Sequence, residues 1–276
     1  MINNTFSSAR FWNYFVYDLK QLWRNNGKAV ILLGFLSLIT YLLWVTFSLI
    51  FTGAWHAPGI AARAVIFYVG ALILVLYNTR TYGYLTEKHA GSAWLMIPAS
   101  TLEKFVSMMI ITVIVLPLAY VASFLLLDGA ITLLDPSAGN SLITGAIPSI
   151  GDLNRAVSEV SETGLDVNLG LLALPLILQL VANFLYFLLC GICFKKWKLV
   201  GAFAIILGIQ IVFMPIISGL ALHRWAPYFE NLSASEDPVA IINLINTAMN
   251  WGTILDVLLI LGFGWGIYYR LKNLKH

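Results

Sequence analysis

Few residues in this sequence combine the types and the spacing that a reactive site needs. Cys190 and Cys193 form a Cys-x-x-Cys pair, a spacing found in redox and zinc sites, but tetrahedral zinc requires two more ligands and none stands nearby. We therefore expect the two cysteines to serve as small residues within a membrane helix. All four histidines lie in predicted loops or at the terminus, which does not suit an intramembrane metal site.

The motifs of common hydrolytic enzymes are absent from the sequence. It contains no Gly-x-x-x-x-Gly-Lys-Ser/Thr phosphate loop, no His-Glu-x-x-His and no Gly-x-Ser-x-Gly, the patterns that bind nucleotide phosphates, hold catalytic zinc or present a serine nucleophile. We predict that the chain is not an enzyme and binds no metal or cofactor. An ATP-driven role would place ATP and Mg²⁺ on a separate polypeptide.

Asp256 is the one acid that we place within a predicted membrane span. A carboxylate in the membrane is costly unless it is paired or hydrated, so the residue is either bonded to a structural partner or forms part of a substrate or proton path. Gly262, Gly264 and Gly266 follow in the same span. They favour close helix packing, or alternatively the seam of a dimer.

The composition indicates which elements must position these residues. Of 276 residues, 60% are hydrophobic and only 11% charged, and the mean hydropathy is +0.85. A soluble domain of this size cannot bury so much apolar surface. We predict an all-α, polytopic membrane protein.

Apolar segments long enough to cross a bilayer recur along the chain. Residues 1–28 form an amphipathic helix that we expect to lie in the membrane interface, and Arg63 is expected to reach the headgroups from within a span. A kink is expected at Pro117. External loops are predicted at 128–168 and 223–250, where 238–249 is too short to span and is a candidate re-entrant or interfacial segment. The six predicted spans are 29–51, 60–77, 105–127, 169–193, 199–222 and 251–269.

The distribution of charge predicts the orientation of these spans. With both termini in the cytoplasm, 13 of the 16 basic residues fall inside, and the other three are Arg63, Arg155 and Arg224. Nine of the 13 acidic residues then fall outside. Because basic residues concentrate in cytoplasmic loops, we predict a chain with both termini in the cytoplasm.

The largest polar interval on the predicted cytoplasmic side is 79–104. Its charges alternate in sign, and Trp94 with its neighbours forms an apolar knob among them. Such a segment suits a groove on a partner protein, or alternatively the membrane surface. Ser100 and Glu103 have the spacing of a capping box, which begins the next helix.

The element Pro98-Ala99-Ser100-x-x-Glu103-Lys104, entering an apolar helix after a short cytoplasmic segment, resembles that of bacterial ABC-2-type transporter permeases. The resemblance implies a coupling segment at 79–104 that binds a separate ATP-binding cassette ATPase. It also implies a second permease copy or paralogue and a location in the cell inner membrane. The implied ATPase contacts are Tyr82, Glu87, Lys88, His89 and Trp94, with Asp256 as a candidate residue of the substrate path.

Two other readings of the sequence stay open. The chain could be a non-transporting membrane scaffold or accessory subunit of another complex. An ion-coupled carrier is disfavoured, because no inverted repeat is visible and Asp256 is the only acid in a predicted span. Under the permease reading, an apolar lining of the path would suit an amphipathic substrate.

Overall fold

A computed structural model describes residues 6–86, 88–145, 169–212, 215–216, 219 and 238–274, and within these ranges all regular secondary structure is helical. Short 3₁₀ turns lie at Gly83–Thr86 and Pro136–Ala138, and a π-helical turn lies at Ile111–Val115. The α-helices of nine or more residues within these ranges are α1 (Ser8–Gly34), α2 (Leu36–Thr52), α3 (Ile60–Thr81), α4 (Lys88–Met96), α5 (Thr101–Ile110), α6 (Leu116–Leu134), α7 (Leu169–Cys193), α8 (Lys198–Val212) and α9 (Pro238–Lys272).

Several of these helices have the length and apolarity to cross a membrane. Four do so within the described ranges: Ile60–Thr86, Thr101–Leu134, Leu174–Cys193 and Met249–Lys272. A fifth crossing results if the end of α1 and the whole of α2 are taken as one bent span. The described chain is therefore all-α and has the helices of an integral membrane protein, as predicted.

The first predicted span is broken rather than straight. Helix α1 continues through the boundary expected near residue 28 and ends at Gly34, and α2 leaves it at an angle of 52°. A Cβ atom on Gly34 would lie 2.8 Å from Oγ of Ser123 on α6, so the missing side chain lets the bend approach α6 closely.

Helix α1 packs against the protein with one face and leaves several of its large apolar side chains exposed. Phe11, Tyr14, Asp18 and Leu22 are buried, whereas Trp12, Leu19 and Trp23 are exposed. The buried residues recur every three or four positions, as one face of a helix requires. Asp18, which the sequence places on the charged outer face, is therefore inside.

The long rod of α5 and α6 runs from Thr101 to Leu134 with the π-helical turn in its middle. That turn directly precedes Pro117, whose missing N–H and bulky ring interrupt the regular helical bonding. The irregularity expected at Pro117 is thus absorbed by a wider turn. The helix also extends beyond the predicted span end at 127, which places Asp128 inside the helix and buries it.

Helix α7, which begins and ends where the sequence predicts, lies between α3 and α9 and packs most extensively against them. At Gly191 an added Cβ would clash with the carbonyl oxygen of Thr79, so the two backbones are in direct contact. Cys190 is buried in this core and Cys193 is exposed, and both are free thiols. Both cysteines lie in this helix, as the sequence predicts, but Cys190 alone of the two is packed in the core.

Helix α9 corrects the expectation of a separate segment at 238–249. Those residues belong to one continuous helix of 35 residues, about 52 Å long at 1.5 Å per residue. Pro238 stands at its first position, where proline is tolerated. A Cβ atom on Gly262 would meet open space, whereas one on Gly266 would lie 3.4 Å from the side chain of Leu189.

Two other predicted features fall partly or wholly outside the described residues. The span predicted at 199–222 is represented by α8, Lys198–Val212. Most of the external loops predicted at 128–168 and 223–250 lies outside the described ranges.

Candidate functional site

The interval 79–104 folds back against α1 and α5 in what we call the α5 junction: Asp18, Tyr82, Trp94, Ser100, Glu103, Lys104 and Ser107 with their bonding partners on α1. Helix α3 ends at Thr81, a 3₁₀ turn follows, and α4 leads to Pro98 and the start of α5. The predicted capping box is confirmed. Ser100 Oγ accepts from Glu103 N at 3.2 Å, and Glu103 Oε2 accepts from Ser100 N at 2.8 Å.

Glu103 does more than cap its own helix, because it also binds the start of α1. Its Oε1 accepts from Ser7 N at 2.8 Å, and the guanidinium of Arg10 donates to both carboxylate oxygens at 2.8–3.0 Å. The Glu103 side chain is fully buried, whereas that of Arg10 remains partly exposed. Charge-assisted bonds of this kind are stronger than neutral ones, so α1 and α5 are joined at their first turns.

Asp18 is a buried carboxylate, and the two hydroxyl groups that donate to it are neutral. Tyr82 Oη donates to Asp18 Oδ2 at 2.9 Å, and Ser107 Oγ donates to the same oxygen at 2.7 Å. Burial raises the pKa of Asp18 to about 6, against a partial lowering by the two hydroxyl donors. The contact ties α1 to the end of α3 and to the second turn of α5.

Trp94 connects α4 to the same cluster. Its Nε1 donates to Tyr14 Oη at 2.9 Å, and its carbonyl oxygen accepts from Lys104 Nζ at 2.9 Å. The Lys104 ammonium also lies 4.4 Å from the centroid of the indole ring, a cation–π distance. Helix α4 is thereby bonded to both α1 and α5.

The side chains of two predicted contact residues are buried in the structure. Tyr82 is 1% exposed and Trp94 is 3% exposed, so neither side chain is available to touch a partner. The apolar surface that α4 does expose is formed by Leu95 and Met96, and Met96 is 83% exposed. Glu87 and the side chains of Lys88 and His89 lie outside the described residues.

Asp256 lies in the interior of α9 and is half-buried. Within the described part of the chain, no side chain donates a hydrogen bond to it or pairs with it. It is far in sequence from the α5 junction and is not bonded into it. The alternatives of a structural partner and a path residue therefore stay as the sequence left them.

The opposite end of the α5–α6 rod contains an ion pair that the sequence did not predict. Arg63 Nη1 donates to Asp128 Oδ1 at 2.7 Å, and the two side chains are 3% and 1% exposed. The sequence predicted that Arg63 extends to the headgroups, and this prediction is wrong. Instead it pairs with a neighbouring helix.

Backbone groups complete this second cluster, which we call the α6 junction: Arg63, Asp128 and the backbone of residues 138–142. Arg63 Nη2 donates to the carbonyl oxygens of Ala138 and Asn140 at 2.9 and 2.6 Å. Asp128 Oδ2 accepts from Leu142 N at 2.7 Å. The available signal in the sequence was opposite charges at the same predicted side of two spans, which does not by itself identify a pair.

No family model, curated protein or solved structure matches this chain. Its function must therefore be inferred from the site itself.

Proposed function

We propose that this protein is a transmembrane permease subunit of an ATP-driven ABC-type transporter. It would cross the cell inner membrane six times with both termini in the cytoplasm, and would work with a second copy or a paralogue. A separate ATP-binding cassette ATPase would supply ATP hydrolysis. The cargo class that suits an apolar path is an amphipathic molecule.

The observation that carries this proposal is the bonding of α4 into two other helices. Trp94 joins α4 to α1 through Tyr14 and to α5 through Lys104. A partner that displaces α4 must then also move the first turn of the Thr101–Leu134 rod. This is what a coupling segment requires, because binding at one site can shift a transport equilibrium only through an element that differs between the two states.

The pairing of charged residues is consistent with the proposed topology. Arg10, Asp18, Tyr82 and Glu103 all belong to segments assigned to the cytoplasm, and they bond to one another. Arg63 and Asp128 are assigned to the external side and form a pair. A wrong assignment of any one of the first three spans would have put such partners on opposite sides of the membrane.

The contact surface for the ATPase is proposed at Leu95 and Met96 rather than at Trp94. Exposed apolar residues beside charged ones are typical of a binding surface, and both are on the last turn of α4. Tyr82 and Trp94 would act behind this surface by holding α4 in place.

The proposal can be tested with the pair Leu95→Glu/Met96→Glu and the control pair Leu133→Glu/Leu134→Glu. The control changes two consecutive exposed leucines at the opposite end of the α5–α6 rod. We expect the wild type and the control to co-purify with a P-loop ATPase and to show ATP-dependent transport in proteoliposomes. In Leu95→Glu/Met96→Glu, both the amount of co-purified ATPase and the transport rate should fall at least tenfold. Its elution volume in size-exclusion chromatography in detergent should not change.

Two outcomes would contradict the proposal. A stable complex that contains no nucleotide-binding subunit would favour the membrane scaffold. Transport that persists without ATP and disappears in Asp256→Asn would favour an ion-coupled carrier.

A further inference from the structure

A cavity of about 330 Å³ lies where the end of α3 meets the turn between α7 and α8. It has the volume of about ten water molecules. Three of the side chains that line it are cationic: Arg80, Lys195 and Lys198. Among the described residues that line the cavity, none is acidic, so the site has a local excess of positive charge.

The cationic side chains are placed by fixed backbone elements. Arg80 is in the last turn of α3, and Lys195 and Lys198 flank the tight turn that begins α8. Lys198 Nζ donates to the carbonyl oxygen of Gly83, which fixes the α8 start against the 3₁₀ turn. The first turn of α8 also lines the cavity, and the positive end of a helix attracts anions.

Trp197 marks the cavity as a membrane-interface position. Its side chain is 78% exposed, and its backbone has a φ of 56°, which is uncommon for a residue with a side chain. The cavity also lies at the ends of two candidate spans, Ile60–Thr86 and Leu174–Cys193. Tryptophan is enriched at this level of membrane proteins because its ring suits the headgroup region.

An apolar stripe leads away from the cavity along α8. Val200, Phe203 and Leu207 are exposed and follow one another at spacings of three and four residues, which places them on one face of the helix. Val200 itself lines the cavity. The surface therefore offers a cationic pocket at one end and an apolar strip at the other.

We propose that this cavity binds the phosphate group of an anionic phospholipid, whose acyl chains lie along Val200, Phe203 and Leu207. Basic pockets between membrane helices recognise such headgroups. The apolar strip distinguishes a lipid from a free phosphate ion, which would use only the cationic pocket. Arg80 and Lys195 supply charge to the phosphate, and Trp197 covers the headgroup.

The test is lipid binding to delipidated protein in detergent, followed by native mass spectrometry. The probes are phosphatidylglycerol, phosphatidylcholine with the same acyl chains, and inorganic phosphate. The test variant is Arg80→Gln/Lys195→Gln, and the control is Arg24→Gln/Lys196→Gln. The control also removes one arginine and one lysine that are exposed, but neither lines the cavity.

We expect phosphatidylglycerol to bind at least fivefold more tightly than phosphatidylcholine. The test variant should remove this preference, whereas the control should stay within twofold of the wild type. Equal binding of the two lipids, or an unchanged preference in the test variant, would overturn the proposal. Displacement of the lipid by millimolar inorganic phosphate would show a free-anion site and would also overturn it. None of these measurements involves ATP or an ATPase, so their result is independent of the permease proposal.

Discussion

The two ends of the α5–α6 rod differ in how their buried carboxylates are bonded. Each end buries a carboxylate and uses it to join helices that are distant in sequence. At the α6 junction, Asp128 faces the guanidinium of Arg63, so the buried charges balance. At the α5 junction Glu103 is paired with Arg10, but the second buried carboxylate, Asp18, accepts within the described residues from the hydroxyls of Tyr82 and Ser107.

This difference predicts which junction can respond to its surroundings. A buried ion pair is strongly destabilised when one partner is removed. A buried carboxylate bonded only to neutral donors is protonated more readily than an exposed one, because burial penalises the charge. The α6 junction is thus a fixed structural tie, whereas the α5 junction, which adjoins the proposed coupling segment, is sensitive to pH.

The largest effect is expected at the α6 junction. Asp128→Asn leaves the buried Arg63 without its counter-charge, and should lower the free energy of unfolding by about 3–5 kcal/mol. Denaturant unfolding in detergent measures this. The double variant Arg63→Met/Asp128→Leu removes both charges and should recover part of the loss. Recovery is incomplete because the backbone groups of Ala138, Asn140 and Leu142 lose their side-chain partners. A single variant as stable as the wild type would show that the pair contributes little.

The second prediction concerns the pH dependence of the α5 junction. The folded-state pKa of Asp18, about 6, lies above its ordinary value of 3.8. Its contribution to stability is therefore fully present below pH 3.8 and is lost as the pH rises through 6. The shift corresponds to about 3 kcal/mol.

Asp18→Asn should remove this pH-dependent term. The asparagine carbonyl oxygen can still accept from both hydroxyls, because both donate to one carboxylate oxygen. The free energy of unfolding, plotted against pH, should be similar for the variant and the wild type near pH 4. Toward pH 7 the two plots should separate, with the variant more stable. Asp135→Asn is a control whose effect should depend on pH in the opposite direction. Hydrogen bonds from Ser137, Tyr41 and Trp55 lower the pKa of Asp135, so this carboxylate stabilises the fold at neutral pH and the variant should be less stable there. Parallel curves for Asp18→Asn and the wild type would contradict the interpretation.

A smaller effect is expected from Glu103→Gln. The substitution weakens the charge-assisted bonds to Arg10 and Ser7, and should lower the free energy of unfolding by about 2 kcal/mol. A double-mutant cycle with Arg10→Gln should give a coupling energy of about 0.5–3 kcal/mol. Additive effects of the two changes would mean that the pair does not join α1 to α5. Lys20→Gln, an exposed change on α1, serves as the control.

The smallest effect is expected from Trp94→Phe, which removes the donor to Tyr14 but keeps an aromatic ring beside Lys104. The expected loss is about 1 kcal/mol. Tyr14→Phe should produce a similar loss, and the double variant should add little more, because both changes break the same bond. If the two losses add fully, Trp94 and Tyr14 act separately.

Local features of the fold were predictable from the sequence. The capping box at Ser100 and Glu103 depends on residues three apart, and α7 depends on an uninterrupted apolar run from 169 to 193. The continuous helix at Pro238–Lys272 was missed because its first 12 residues are too few to span a membrane alone. Length was the wrong criterion there, since these residues extend an existing helix.

The two junctions were not predictable in the same way. Asp18 reads as part of a charged helix face, and Arg63 reads as a side chain that extends to the headgroups. Trp94 stands among charged residues in the sequence, which suggested an exposed contact residue, although its side chain is buried. In each case the side chain's role depends on a partner many positions away.

Sequence alone determined that the chain is a helical membrane protein, because apolar length and charge distribution act within each segment and do not depend on how the segments pack. The tertiary structure alone decided which polar groups are buried together. The bonded residues are 64–89 positions apart in the sequence, so the pairs form only when distant segments meet. These pairs are Arg63 with Asp128, and Asp18 with Tyr82 and Ser107. The cost of burying each polar group is offset only when the complete set of partners is present, and no single segment contains that set.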